Sequence, residues 1–207
     1  MNTVDNTVNL SPIGIFQCIS KYPAEVPRQP NWAQNEGRIE LYPEFADPQM
    51  LQGLQEFSHI WVIFVFNRNS KWKVMTDPPY KGAPKVGTWG SRGPYRPNPL
   101  GLSCLQIEKI KGRHILVRNH DILNGTPIVD IKPYVTQSDS HPEARNGWLE
   151  KYNRQIWPIH FSNKALEKAH WVQQWAEIDI FGFIYTQLGH DPTDLQKTNS
   201  GTGNSNL

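Results

Sequence analysis

Hydrophobic and polar positions alternate through the first two-thirds of the chain. In "GRIELY" (37–42), Ile39 and Leu41 alternate with Arg38 and Glu40, the period of a strand with one buried face. "PIGIFQCI" (12–19), "KVGTWGS" (85–91), "LSCLQIEKI" (102–110), "HILVRNHD" (114–121) and "PIVDIKPY" (127–134) read as further strands. "SHIWVIFVFN" (58–67) is a continuous apolar run between polar residues, which predicts a strand covered on both faces. "KGR" (111–113) between two strands signals a hairpin, and a short helix is expected at 47–55. Short strands at close spacing, broken by Gly and Pro, predict a mainly β domain, either a β-barrel or a sandwich.

The period changes past residue 137. "NKALEKAHWVQQWAEI" (163–178) places Leu166, Ala169, Val172, Trp175 and Ala176 at helical spacing, with Ser162 or Asn163 as a cap. "IDIFGFIYTQLGHD" predicts a second helix despite Gly182, and "QKTNSGTGNSNL" predicts a disordered tail. The organisation expected is a β domain over 1–137, a helical appendage over 138–191 and a tail over 192–207.

Composition narrows the class. Hydrophobic residues form 38% of the 207, with eight Trp, which is enough for a real core in one sizeable domain. No run of about 18 apolar residues occurs, so no membrane span is expected. No export signal is visible in "MNTVDNTVNL". Cys18 and Cys104 each lie in apolar, strand-like text, which argues against a disulfide framework and fits a reducing cytoplasm.

Charge is uneven although the net is only +2. Residues 68–118 hold eleven Lys and Arg but only two acids, Asp77 and Glu108. Such a block suits a polyanion, and equally a solvated face. The segment 67–85, "NRNSKWKVMTDPPYKGAPK", adds Trp72 and Tyr80 to Lys71, Lys73, Lys81 and Lys85, a mixture that suits RNA or a mobile surface loop.

Most familiar chemical motifs are missing. There is no Gly-rich phosphate loop, no nucleophile elbow and no Cys-x-x-Cys. His120-Asp121 is a dipeptide that suggests a metal, but the histidines do not cluster at ligand spacing, so no metal site is expected. His59, at the mouth of an apolar strand, reads as a structural histidine. Three stiff loops remain: "VPRQP" (26–30), "SRGPYRPNPLG" (91–101) and "RNHDILNGTPIVDIKPY" (118–134). Proline restricts these loops, so polar groups such as Arg92, Arg96 and Asn98 are ordered before a ligand arrives. Each loop alone reads as turn chemistry, whereas three together in one β domain point to a ligand site. Asp121 and Asp130 are the carboxylates nearby, and Asp130 is expected to tie down the "NGTP" turn.

"VPRQP", "GLQEFSHIWVIFVF" (53–66), "RPNPLGLS" (96–103) and "DILNGTPIVDIKPY" together resemble the bacterial YaeB/VirR-like (TsaA-like) family of tRNA methyltransferases dependent on S-adenosyl-L-methionine (AdoMet). The resemblance is close over about residues 10–137. It implies a β-barrel-like methyltransferase domain, a homodimer with AdoMet near the subunit interface, and methylation of N6 of threonylcarbamoyladenosine beside the tRNA anticodon. It places Pro27, Arg28, Gln29, Asn67, Arg68, Arg92, Leu102, Arg118, Asn119, His120 and Asp121 at the AdoMet site. Contacts at Arg68, Asn119 and His120 are expected through backbone atoms. Asp121 is the candidate for proton removal from N6. Lys71, Lys73, Lys81, Lys85 and Arg96 would meet the anticodon loop, whose unstacked bases can enter a pocket. The alternative is a noncatalytic RNA-binding β-module on the same fold.

Overall fold

A computed structural model describes residues 7–27, 30, 35–80, 82–152 and 157–189. Its strands, in chain order, are β1 (Gly14–Gln17), β2 (Glu36–Leu41), β3 (His59–Val65), β4 (Met75–Thr76), β5 (Val86–Gly87), β6 (Leu100–Lys111), β7 (His114–Arg118) and β8 (Thr126–Pro133). Six of them close into a barrel in the order β1-β2-β7-β6-β3-β8, with every neighbouring pair antiparallel. β4, inside the segment 67–85 read as a loop, pairs separately with β5, and the strand expected at 85–91 is confined to Val86–Gly87 because the chain turns into a 3-10 turn at Thr88–Gly90.

The period of two fixes which side chains fill the barrel. Phe16, Ile39, Ile60, Val62, Leu105 and Ile115 all point inward and are fully buried. Each contributes about 1.5–3 kcal/mol relative to an exposed side chain. β3 departs from expectation: Ile60, Val62 and Phe64 are buried, while His59, Trp61, Ile63 and Val65 are only half-covered. The outer cover is local. Tyr134 packs on the rings of His59 and Trp61, and Trp61 Nε1 donates to Asp139 of α1 (Thr136–Asp139) at 2.9 Å. His59 Nδ1 lies 2.9 Å from Ser58 Oγ, a satisfied structural histidine.

The β6–β7 hairpin forms as read, with Lys111 opposite His114 and Gly112 at φ 53° in the turn. The helix expected at 47–55 does not form. That segment is a series of turns ending in a 3-10 turn at Leu54–Glu56. The N–H of Gln49 goes to the Asp47 side chain, and Gly53 takes φ 84°, outside the right-handed helical region.

α2 (Asn163–Ala176) is capped by Ser162, whose hydroxyl accepts from Ala165 N, and α3 (Ile180–Leu188) is capped by Asp179. Gly182 is required in α3 because a Cβ there would collide with the Glu25 carbonyl. The Asp179 carboxylate also joins helix to barrel: Oδ1 accepts from Gly182 N and Oδ2 from Ser20 Oγ at 2.6 Å. Ser20 and Asp179 are both buried. The expected tail over 192–207 lies outside the described residues. No helix among those described is long and apolar enough to cross a membrane.

Candidate functional site

Antiparallel closure brings distant segments to one end of the barrel. The ends of β1, β3 and β7 and the starts of β2, β6 and β8 all lie there. The segment 119–125, running from β7 to β8, closes that end and sends Ile122 into the core. Its turn is held by backbone complementarity. Cys18 N donates to Asn124 Oδ1 at 3.1 Å, Asn124 N to Ser20 O at 2.9 Å and Gly125 N to Phe16 O at 2.8 Å. Gly125 takes φ 79°, which explains the Asn-Gly of "NGTP". Asn124 therefore ties down the turn, not Asp130. Asp130 lies along β8, opposite Ile63, and pairs with Lys132 at 2.8 Å.

Asn67 and Arg68 follow β3 onto this end. Arg68 donates to Lys21 O at 2.6 Å and to Asn124 O at 3.3 Å, stitching two loops together. Arg118 faces outward and pairs with Glu36 and Glu108 at 3.1 and 2.8 Å. Asn119 takes φ 58°, the left-handed conformation that redirects the chain after β7. His120 is fully buried against Phe16, with ring centroids 4.7 Å apart. Burial pushes its imidazole down to about 4, so the ring is neutral. Asn35 clasps its backbone, donating to His120 O at 2.9 Å and accepting from His120 N at 2.8 Å. The whole residue is thus sealed inside, with its backbone N–H and C=O both engaged by Asn35.

Asp121 differs from its neighbour. It is half-buried, and its Oδ1 accepts from Ser103 Oγ at 2.5 Å. Burial raises its carboxyl to about 6, against the Ser103 hydrogen bond and, more weakly, the Arg92 charge, both of which favour the ionised form. Ser103 is 2% exposed on the inward face of β6, between Gly101 and Leu105, while Leu102 points outward and is 53% exposed. A carboxyl with an acidity near neutrality and a buried hydroxyl thus meet at the barrel mouth, within range of the Arg92 charge, while Leu102 faces outward from the same strand end. Ser103 and Asn35 were not singled out from sequence. The inward phase of "GLSCL", which puts a polar Ser103 among core positions, was the available signal.

Pro27 is buried just before Arg28 and Gln29, which lie outside the described residues, as does Lys81. Arg92 is exposed just after the 3-10 turn Thr88–Gly90. The basic block splits in space. Lys71, Lys73 and Lys85 lie before β6, whereas Lys109, Lys111 and Arg113 sit at the far hairpin, with β6 spanning roughly 35 Å between. Lys73 Nζ lies 4.4 Å from the Tyr95 ring centre, and Lys85 is 3.5 Å from Asp77. Arg96 is half-buried, with its guanidinium bonded to Thr88 O and Ser91 O at 3.2 and 2.6 Å. Cys18 and Cys104 are free thiols, and burial pushes Cys18 up to about 11.

Residues 15–140 match the tRNA-methyltransferase O N-terminal domain family. A probable S-adenosyl-L-methionine-binding protein of Pyrococcus abyssi is 43% identical over 141 residues, 68% of this chain and 75% of that protein. The tRNA (adenine(37)-N6)-methyltransferase of Escherichia coli K12 is 29% identical over 199 residues, 92% of this chain and 84% of its own. The crystal structure of TrmO from Pseudomonas aeruginosa superposes with a TM-score of 0.69 at 30% identity, over 90% of this chain and 82% of that one. The chain spans most of the length of these relatives, and the barrel whose mouth carries Arg92, Ser103 and Asp121 is the part that the family match covers: this protein belongs to the tRNA-methyltransferase O family.

Proposed function

We propose that this protein transfers a methyl group from AdoMet to N6 of adenosine 37 in tRNA, and that the adenosine accepted carries the threonylcarbamoyl group. The observation that carries the reading is the contact of Ser103 with Asp121 at the barrel mouth, within the stretch matched to the family. Relatives bear the names of AdoMet-binding proteins and of adenine-37 methyltransferases, in support of the same reading.

The residues present suit AdoMet. An exposed cation, a carboxyl of adjustable charge and an exposed leucine offer partners for a zwitterionic amino-acid tail and an aromatic base. Pro27, Arg28, Gln29, Asn67, Arg68, Arg92, Leu102 and the segment Arg118–Asp121 would hold it. The cofactor supplies an electrophilic methyl on a sulfonium whose charge disperses as the methyl leaves. Arg68 and the Asn124 turn keep the loops rigid, which favours alignment of the attacking nitrogen. As the N–C bond forms, N6 must release its proton. Asp121, held near 6, ionises close to neutral pH and can accept it, and Ser103 fixes the carboxyl's orientation.

The enzyme acts in the cytoplasm as a C₂ homodimer, and the exposed Leu102 beside the site is surface that a second subunit would cover. The deciding experiment is methylation of purified tRNA bearing or lacking the threonylcarbamoyl group, with AdoMet binding followed by calorimetry. Turnover only on the modified tRNA is expected. Equal turnover on both would overturn the substrate assignment. Absence of AdoMet binding would leave a noncatalytic RNA-binding module. Light scattering of an active monomer at micromolar concentration would overturn the dimer.

A further inference from the structure

Trp89 is the most exposed tryptophan among the described residues, at 75%, yet the turn bearing it is braced from several sides. It lies in the 3-10 turn Thr88–Gly90. Thr88 is buried, its N–H donates to Val74 O at 3.0 Å, and its hydroxyl sits against the Lys73 and Val74 carbonyls. From the appendage side, Trp148 Nε1 donates to Gly90 O at 2.9 Å. The Arg96 guanidinium is locked onto Thr88 O and Ser91 O and lies 5.3 Å from the Trp89 ring centre. One face of the indole is therefore backed by a fixed cation, and the ring is otherwise open to solvent. A large apolar ring presented to water has no role in the core, and the turn that presents it is braced before any partner arrives.

The surroundings select the partner. Between Arg68 and Ile107 the sequence has seven lysines and arginines and one acid, Asp77. Lys73 over Tyr95 is a second cation–aromatic pair on the same segment, and Lys73 N donates to Tyr95 O. A flat aromatic platform inside a cationic field is complementary to an unpaired base with its phosphates, because every base offers a π-face. The same segment also exposes Trp72, Val74 and Met75, apolar area that a second copy of the chain could cover, so it is the cationic field that favours RNA as the occupant. Trp89 is also three residues from Arg92, on the turn that reaches the candidate cofactor site.

We infer that Trp89 is a stacking platform for an unpaired nucleotide of the RNA substrate, one that flanks the base being methylated and holds it unstacked. The inference rests on the tRNA reading above. Stacking a neighbour would keep the loop open and hand the target base to the barrel mouth. Arg96 is then a positioning residue that backs the indole.

The test uses the full chain and two labelled RNAs, a stem-loop with an unpaired loop and a fully paired duplex of equal phosphate count. Trp89→Ala should weaken stem-loop binding by about 5- to 150-fold, the loss of one stacked base, and leave duplex binding and AdoMet affinity unchanged. Trp89→Phe should recover most of the affinity. Trp89→Leu, which keeps apolar area without a π-face, should not. Equal stem-loop affinity in Trp89→Ala would overturn the platform, as would rescue by Leu as complete as by Phe. A drop in oligomeric state with RNA binding intact would assign the ring to a contact between copies of the chain instead. A wild-type protein that binds the stem-loop through Trp89 but methylates no tRNA would refute the activity and leave the platform standing.

Discussion

His120 and Asp121 are adjacent, and burial shifts them in opposite senses. His120 is neutral inside the barrel, with its acidity constant near 4 instead of 6.5. The unfolded chain takes up that proton near 6.5, so the stability gained from a neutral His120 is full above 6.5 and is lost as pH falls towards 4. The size is about 3 kcal/mol. Asp121 runs the other way. Its carboxyl titrates near 6 in the fold and near 3.8 when unfolded. The folded state then binds more protons between those values, so stability falls as pH rises from about 4 to 6. Asp121 keeps some contact with water, which trims its share to about 1–3 kcal/mol. Over the window between 4 and 6 the two slopes oppose, and the pair flattens the acid limb of the stability curve. Asp121→Asn removes one slope and exposes the other. Urea denaturation from pH 4 to 7 should show the variant gaining about 1–3 kcal/mol relative to wild type as pH rises, while all other titrations cancel in the difference. Parallel stability curves for the two proteins would refute the reasoning, because they would mean that Asp121 ionises in the fold as it does unfolded.

What the sequence made legible was set by periodicity. Ile39 and Leu41 in β2, or Leu105 in β6, take their place from alternation alone, so the strands and the mainly β class follow directly. The continuous run 58–67 misleads because apolar residues on the outer face of β3 need only a local cover, here Tyr134 and α1, rather than a second layer. The 47–55 segment has helical composition, but an Asp47 side-chain bond and the positive φ at Gly53 draw it into turns. The site was visible as three stiff loops, not as partners. No spacing along the chain says that Ser103 meets Asp121, since that contact depends on where β6 and the 119–125 segment converge after closure. The basic block shows the same limit. Its members are neighbours in sequence, and a single long strand carries Lys109, Lys111 and Arg113 away from the rest.

Arg92→Ala should weaken AdoMet binding in calorimetry with an unchanged melting temperature, and an unaltered affinity would remove Arg92 from the site. Asp121→Asn should cut single-turnover methylation by about 10²–10⁴-fold with little change in AdoMet or tRNA binding, whereas near-normal turnover would leave the carboxyl a structural role. Gly101→Ala should cost about 1–3 kcal/mol in denaturant titration, because the added Cβ would overlap the ring of Phe64, itself packed in the core. The split of the basic block yields the sharpest contrast. Neutralising Lys71, Lys73 and Lys85 removes cations from the segment that carries Trp89 and Arg92, whereas neutralising Lys109, Lys111 and Arg113 removes the same number from the far hairpin. Both triple variants lose three charges, so a purely global attraction for polyanions would weaken tRNA binding equally in each. Contact at the barrel mouth predicts otherwise. The first variant should lower tRNA affinity and flatten its dependence on salt, because fewer phosphates release counterions on binding, and the second should retain a slope close to wild type. Matching salt slopes in the two variants would show that the RNA does not favour the mouth of the barrel over its opposite end.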